Sequence, residues 1–190
     1  MNILSTLLTA AGLGLGAGVN AYAAIVVFGL LARFVPGSVP GEYAHVFALT
    51  PVIAVAAVLY TVEFVADKIP GMDHVWDLIH SFIRPLAGAA LGLAAVAPQM
   101  PKSVLVLATA IAGGAALSAH LGKSVTRLAS TATTGGLASP ILSLGEDAFA
   151  IVQSLVAVFL PYLVLAFVGI AILILGFAAV DRVERRRKSA

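Results

Sequence analysis

Residues 3–34 read ILSTLLTAAGLGLGAGVNAYAAIVVFGLLARF, and no charged side chain occurs in this run before Arg33. As one straight α-helix the run would extend about 48 Å, which exceeds a hydrocarbon core of about 30 Å. A break is therefore expected, and the glycine-rich part at 12–18 is the natural place for it. The alternative is a close-packing face of small residues. Both interpretations rest on Gly14, Gly16 and Gly18.

The rest of the chain is equally apolar. Of its 190 residues, 61% are hydrophobic and 11% are charged, whereas an average soluble domain has about 25% charged residues. So few polar side chains cannot cover a water-soluble domain of this size, and lipid must supply the missing apolar contact. The absence of cysteine excludes disulfides and thiolate chemistry. We predict one transmembrane domain, 1–180, followed by a tail, 181–190.

The positive charge of the chain is concentrated in this tail. The sequence DRVERRRKSA holds five of the eleven Lys and Arg residues and two acids, so its net charge is +3 and that of the other 180 residues is −1. No basic face for nucleic acid is indicated. Because cytoplasmic segments of membrane proteins carry excess Lys and Arg, we expect the tail in the cytoplasm, and the protein in a bacterial inner membrane.

The apolar stretches predict an all-α, polytopic membrane protein with about five spans. Six spans are the chief alternative. The last stretch contains Pro161, at which the chain either kinks or turns back, and we favour a kink because no polar residues surround this proline. Five spans with a cytoplasmic C-terminus place the N-terminus outside. The predicted spans are 3–34, 45–67, 73–98, 103–128 and 146–180.

A degenerate internal repeat is a further expectation. Residues 16–22 resemble 114–120, and 71–73 with the helix that follows resemble 145–147 with theirs. Glycine-interrupted spans in matching places are typical of transporters built from repeats, although shared membrane composition explains the similarity equally well. Near the later segment, 114–120, we expect Gly113 and Gly114 either to break the helix or to allow a neighbouring helix to pack closely.

Ionisable side chains are costly inside lipid, so those within the spans need a reason. They form an acidic, a basic and a mixed stripe at helical spacing. The obvious pairs join Glu63 or Asp67 to Lys123 or Arg127, which would avoid isolated charges. The stripes are Tyr60, Glu63 and Asp67; His120, Lys123 and Arg127; and Asp73, Asp77, His80 and Arg84.

These residues and their polar neighbours are the candidate functional site. They form a substrate or ion path, a structural buried network, or a set of charges in the headgroup zone, and the sequence leaves all three open. No catalytic motif, compact metal-ligand motif or cofactor site is evident. The candidate residues are Asn20, Tyr22, Glu63, Asp67, Lys68, Asp73, Asp77, His80, Arg84, His120, Lys123, Arg127, Glu146 and Asp147.

The run EFVADKIPGMDHVWD at 63–77, followed by His80, by Arg84-Pro85 and by Gly88, resembles a known family. Members are small bacterial and plastid-type integral membrane proteins known only by a domain of unknown function. Similar features are found from the early segment at 18–22 to the later one at 143–147, so that the resemblance covers most of residues 12–165. It implies a multi-pass membrane protein and supplies no activity.

Three functions remain as hypotheses. The first is a small transporter or channel, expected as an oligomer in the bilayer, whose mixed-charge lining suits a polar or charged solute or proton coupling. The second is an enzyme acting on a lipid, with Asp73, Asp77 and His80 at the headgroup level. The third is a scaffold in which the charges only join helices. The position at which the three stripes converge distinguishes these hypotheses.

Overall fold

The computed structural model describes residues 2–67 and 72–170, except for the side chains of 72–77. This part of the chain contains α-helices and no strand, which confirms the predicted all-α class. A further helical stretch covers 163–170. The helices are α1 Ile3–Val19, α2 Ala21–Phe34, α3 Ala44–Phe47, α4 Thr50–Ala66, α5 Met72–Ala94, α6 Lys102–Thr134 and α7 Ser139–Phe159.

The first apolar stretch consists of two helices rather than one long span. The break lies at Asn20, whose backbone is extended, and not within the glycine run, which is helical. The Asn20 side chain accepts a hydrogen bond from the backbone N–H of Ala23 at 2.9 Å and so caps α2. Asparagine offers the backbone this local alternative to a continuous helix, which glycine cannot do.

The glycines instead allow close helix packing. Gly14 and Gly18 of α1 lie against the backbone of Ala112 and Ala116 of α6, where a Cβ atom would collide with a carbonyl oxygen. Glycines of α5 meet the same two alanines. Small residues therefore bring α1, α5 and α6 into backbone contact, as in many membrane helix pairs. The α5 glycines are Gly88 and Gly92.

These contacts also fix the helix directions. Gly14 and Gly18 meet α6 in increasing order, so α1 and α6 run parallel, whereas the α5 glycines meet it in reverse order. Leu7 and Ala10 of α1 pack near Val96, just after α5, and the backbone N–H of Glu42, beyond α2, donates to the Val96 carbonyl at 3.3 Å. Both ends of 3–34 therefore lead to the same end of the molecule, and α1 and α2 form a hairpin with Asn20 at its tip.

The later glycines do not interrupt their helix. Gly113 lies 3.4 Å from a side-chain atom of Ala89, measured from an ideal Cβ position, and Gly114 has no such neighbour within 4 Å. Both belong to continuous α6, which extends to Thr134 rather than to the predicted residue 128. The segment 114–120 is therefore unbroken where the similar segment 16–22 breaks.

The last predicted span begins and ends earlier than expected. α7 starts at Ser139, after glycines 135 and 136 with positive φ angles. It stops at Phe159 because Leu160 is not helical, so a continuous helix kinked at Pro161 is not what forms. After this break, Val164 packs against Gly12 of α1. Residues 171–180 and the basic tail lie outside the described residues.

The helices direct apolar side chains outward and polar ones inward. In α4 the buried residues are Ala56, Glu63 and Ala66, while four valines of the same helix are exposed. Within the described part of the chain, α6 and α7 are long and apolar enough to cross a membrane, and α1, α2, α4 and 78–94 are shorter apolar helices. The exposed valines are Val55, Val58, Val62 and Val65.

Candidate functional site

Charged side chains from four helices meet in the interior. We call this group the ion cluster and define it by its members on α4, α5, α6 and α7. All but one are buried, and the Glu146 side chain is 14% exposed. The ion cluster lies beside the tip of the α1–α2 hairpin. Its members are Glu63, Asp67, Arg84, His120, Lys123, Arg127 and Glu146.

Arg127 joins the acids of two different helices. Its Nη2 atom lies 2.7 Å from Oδ2 of Asp67 on α4 and also contacts Oε2 of Glu146 on α7. Its Nε atom lies 3.1 Å from both carboxylate oxygens of Glu146. The planar guanidinium thus holds α4, α6 and α7 together through charge-assisted hydrogen bonds.

Lys123, one turn earlier on α6, ties the cluster to the hairpin tip. Its Nζ atom donates to the carbonyl oxygen of Val19 at 3.0 Å and lies 3.3 Å from Asp67 Oδ2 and 3.3 Å from Glu146 Oε2. Glu63 Oε1 is more distant, at 3.9 Å. The Val19 carbonyl is at the C-terminal end of α1, where the helix dipole is negative, so an ammonium group is favourable there.

Arg84 carries the cluster across to α5. Its Nη2 atom lies 2.7 Å from Oε1 of Glu63, and its Nη1 atom lies 2.6 Å from Nδ1 of His120. Because arginine has no acceptor, Nδ1 of His120 accepts this hydrogen bond. A neutral ring then carries its proton on Nε2, which lies 2.9 Å from Oγ of Ser81. The contacts therefore select the neutral Nε2–H form of His120.

Two neutral contacts border the cluster at the hairpin tip. Asn20 Nδ2 donates to Asp147 Oδ1 at 2.8 Å, so this buried carboxyl is held by an amide rather than by a cation. On α2, the ring of Tyr22 meets the ring of His80 edge to face, with centroids 5.5 Å apart. The break between α1 and α2 thus brings two further candidate residues to the charges.

The carboxylates keep unused acceptor capacity. Among the described residues, Glu63 Oε2, Asp67 Oδ1 and Asp147 Oδ2 are buried and have no hydrogen-bond partner. Among the cationic groups, Nη1 of Arg127 is also buried without a hydrogen-bond partner. Burying a polar atom without a partner costs free energy. Several spare carboxylate oxygens close to one another favour a cationic guest, of which the proton is the smallest.

A cleft between α6 and α7 leads to the ion cluster. It is open to the surroundings and has a volume of about 310 Å³. Its walls are mainly apolar, and its charged lining is Lys123 and Glu146, which contact each other. The remaining lining residues are Val19, Thr126, Ile141, Leu142, Gly145 and Phe149.

Most of the predicted site residues lie in this region. The structure contains the expected contacts of Asp67 with Lys123 and Arg127. It also contains one between Glu63 and Lys123, although Glu63 lies closer to Arg84. Lys68 lies outside the described residues, as do the side chains of Asp73 and Asp77. The residues brought to the cluster or its border are Asn20, Tyr22, Glu63, Asp67, His80, Arg84, His120, Lys123, Arg127, Glu146 and Asp147.

The sequence analysis missed polar residues on α7. Ser143 and Gln153 are buried. Ser143 could have been found because it precedes Asp147 by four residues and so shares its helical face, and Gln153 because it is a lone polar side chain within an apolar run. Among the residues that the structure describes, no group of three or more His, Asp and Glu side chains is placed to hold a metal ion.

Comparison with known proteins gives a family and no activity. A family model described as a domain of unknown function (DUF4126) matches residues 7–181. No curated protein and no solved structure matches the chain.

Proposed function

We propose that this chain, which belongs to the family of a domain of unknown function (DUF4126), is an integral membrane transporter for a small charged solute, with the ion cluster as its binding site. The observation that carries the proposal is a buried cluster of charges from four helices that retains unpaired carboxylate oxygens and adjoins an open cleft.

The exterior supports placement in a bilayer. Apolar side chains cover the outside of α4, α6 and α7 while the charges are inside, which is the reverse of a water-soluble domain. α1, α2, α4, α5, α6 and α7 alternate in direction, and we propose that these six helices each pass through the membrane. We place the basic tail, 181–190, in the cytoplasm and the protein in a bacterial inner membrane.

The state of the ion cluster favours a binding site over a purely structural network. A network that only joins helices is most stable when every buried polar atom has a partner. Here Glu63, Asp67 and Asp147 each retain one unpaired oxygen. A broken helix beside buried charges, here at Asn20, is a recurring feature of solute and ion sites in transporters. We therefore expect a proton or small cation to bind to the carboxylates.

Flux through reconstituted protein tests this function. Proteoliposomes carrying an internal pH dye report proton movement, and radiolabelled sodium and glycine report a small cation and a zwitterion. We expect Asp67→Asn and Lys123→Met to reduce the flux of the transported species to that of protein-free vesicles, because each removes a charge from the cluster. Glu42→Gln is the matched control, since Glu42 is an exposed acid at the other end of the molecule. Equal flux in the unmodified protein and in these three variants would rule out the transport proposal.

The cleft favours one alternative, a site that binds or modifies a lipid. Its apolar walls suit an acyl chain and its charged inner end suits a headgroup. His80, the residue that the lipid-enzyme hypothesis placed at the headgroups, is buried against Tyr22 and does not line this cleft. Native mass spectrometry distinguishes the two functions, because a lipid site predicts a bound lipid that is lost when Phe149→Glu places a charge in the wall.

A further inference from the structure

Outside the ion cluster, buried polar atoms without a hydrogen-bond partner occur on α1 and on α7. In the described ranges 2–67 and 72–170, such atoms occur on Thr9 of α1 and on Ser143, Asp147 and Gln153 of α7. These four residues are at most 5% exposed. For Gln153, neither the oxygen nor the nitrogen of the amide has a partner.

These atoms follow a continuous line between the two helices. Thr9, Gly12, Gly16 and Asn20 share one face of α1 by their spacing of three and four residues. Gly12 adjoins the Gln153 amide, at 3.2 Å from an ideal Cβ position, and Gly16 adjoins Ser154 Oγ at 2.7 Å on the same measure. At the end of the line, Asn20 donates to Asp147 at 2.8 Å. We call this interface the α1–α7 seam.

The seam extends from the ion cluster to the opposite end of the molecule. Beyond Thr9, the Thr6 hydroxyl donates to the carbonyl oxygen of Asn2 at 3.0 Å, and the exposed Asn2 side chain donates to Tyr162. From Asn20 to Asn2 the helix rises about 27 Å, which is close to the thickness of a hydrocarbon core, about 30 Å. Polar groups thus mark a route along most of the bilayer depth.

In this conformer the seam is closed. Its unpaired atoms expose almost no surface, and Val164 covers Gly12. Buried amide and carboxyl groups without a protein partner are unfavourable, whereas water molecules can satisfy such groups when two to four polar partners surround each one. Hydration would therefore stabilise a conformer in which the two helices are separated.

The surroundings of α7 would allow it to move. Its C-terminal end is a break at Leu160, and the turn before its N-terminus contains two glycines with positive φ angles, Gly135 and Gly136. Between α7 and α6 lies the open cleft instead of a packed interface. Chain breaks of this kind can absorb the backbone rotations of a hinge.

We propose that the α1–α7 seam is a second route to the ion cluster, closed here, which fills with water when α7 moves away from α1 and carries protons between Asp147 and the end near Asn2. This route rests on the proposed transport function, in which the cleft gives access from one side and the seam from the other. A site reached alternately from two sides is the usual requirement of a transporter.

Accessibility of single cysteines tests the hydration of the seam without reference to flux. The native chain has no cysteine, so Thr9→Cys on α1 and Gln153→Cys on α7 each supply one thiol in the seam, one on each helix. Leu13→Cys is the matched control, because Leu13 is on α1 and fully buried but belongs to the apolar core. We expect 2-aminoethyl methanethiosulfonate to label the two seam positions at least about tenfold faster than the control, since thiol reaction requires access by water.

A reversible staple across the seam tests the movement. An ideal Cβ on Gly16 would lie 2.7 Å from Ser154 Oγ, so the side chains at these two positions meet across the seam, and Gly16→Cys with Ser154→Cys should join α1 to α7 on oxidation. We expect proton flux in proteoliposomes to stop when the pair is oxidised and to return on reduction. The same protein before and after reduction is its own control, and unmodified protein controls for the reductant.

The outcomes separate this inference from the proposed function. Labelling of both seam positions together with a staple-sensitive proton flux supports the route. Labelling no faster than at Leu13→Cys overturns it, and so does a proton flux that the oxidised staple leaves unchanged. Labelling at both seam positions in a protein that moves neither protons, sodium nor glycine would overturn the transport function and the proton route, leaving a hydrated interface alone.

Discussion

The two halves of α6 hold their neighbours in opposite ways. In the first half, the buried face consists of alanines that contact glycines of α1 and α5. In the second half, the same face continues as His120, Lys123 and Arg127, which contact charged or polar groups of four elements, α1, α4, α5 and α7. One helix thus presents first a surface without polar side chains and then a surface made only of them.

We propose from this difference that the first half of α6 serves stability and the second half serves function. Between helices in lipid there is no hydrophobic driving force, so close contact of small residues is an effective way to hold them together. Buried charges, in contrast, lose their hydration and regain most of that free energy only when fully paired. Because the first half already joins α1, α5 and α6, the incompletely paired second half is better explained by ligand binding than by stability.

The largest effect is expected from removing a cation of the charged half. Arg127→Met leaves Asp67 and Glu146 without their guanidinium partner, and breaking a buried ion pair on one side costs about 3–5 kcal/mol. Unfolding in mixed micelles with increasing SDS measures this loss. Arg33→Met is the matched control, since Arg33 is exposed and donates to Thr50. A loss no greater than that of the control would mean that the charged half contributes nothing to folding.

A companion variant sharpens the same measurement. Adding Glu146→Gln to Arg127→Met removes one of the two carboxylates that lost the guanidinium and now share Lys123 alone, so part of the lost free energy of unfolding should return. Glu146→Gln alone gives the reference for this comparison. If it lowers the free energy of unfolding as much in the Arg127→Met background as in the unmodified protein, the two residues are not coupled, and the contact between them has no energetic role.

The sequence predicted pairs of charges within the charged half but not the hairpin. Stripes at helical spacing predicted which side chains share a face, and the high cost of isolated charge in lipid predicted that oppositely charged stripes would meet. The position of the first break was missed because glycine was expected to end the helix. In the structure the glycines remain helical, since alanines of α6 fill the space beside them, and Asn20 ends the helix through its side-chain cap.

The contacts of α7 could not be predicted for a different reason. Helical periodicity shows which residues of one helix share a face, but it does not show which other helix that face meets. Asp147 was expected in the charged group, yet its described partner is the amide of Asn20, 127 residues earlier in the chain. Only the direction reversal at Asn20 brings these two residues together, and no local pattern encodes the angle of that reversal.

The second prediction locates the two halves of α6 relative to the bilayer. Ile111 and Leu128 are exposed apolar residues, one beside the alanines and one beyond Arg127. A lysine at the centre of a membrane helix costs about 2.5–3.5 kcal/mol on insertion scales, so Ile111→Lys should reduce membrane insertion strongly. Leu128→Lys should cost less, because a long side chain near the interface can reach the headgroups. Glycosylation-based insertion assays measure both variants, and equal costs would place the ion cluster at mid-membrane.

The smallest expected effect tests the first half of α6 directly. Gly18→Ala adds one methyl group that meets the carbonyl oxygen and Cα of Ala116, which are backbone atoms and cannot rotate away. Overpacking of this kind costs about 1–3 kcal/mol, measured as above by unfolding in SDS.

Gly114→Ala makes the same chemical change within α6 where no atom lies within 4 Å, and alanine should stabilise that helix by roughly 0.8–1 kcal/mol. Both variants gain the intrinsic helix preference of alanine over glycine. The difference between their free energies of unfolding therefore isolates the packing contribution. If both variants were equally stable, α1 and α6 would not depend on backbone contact, and the charged half would have to hold the helices together after all.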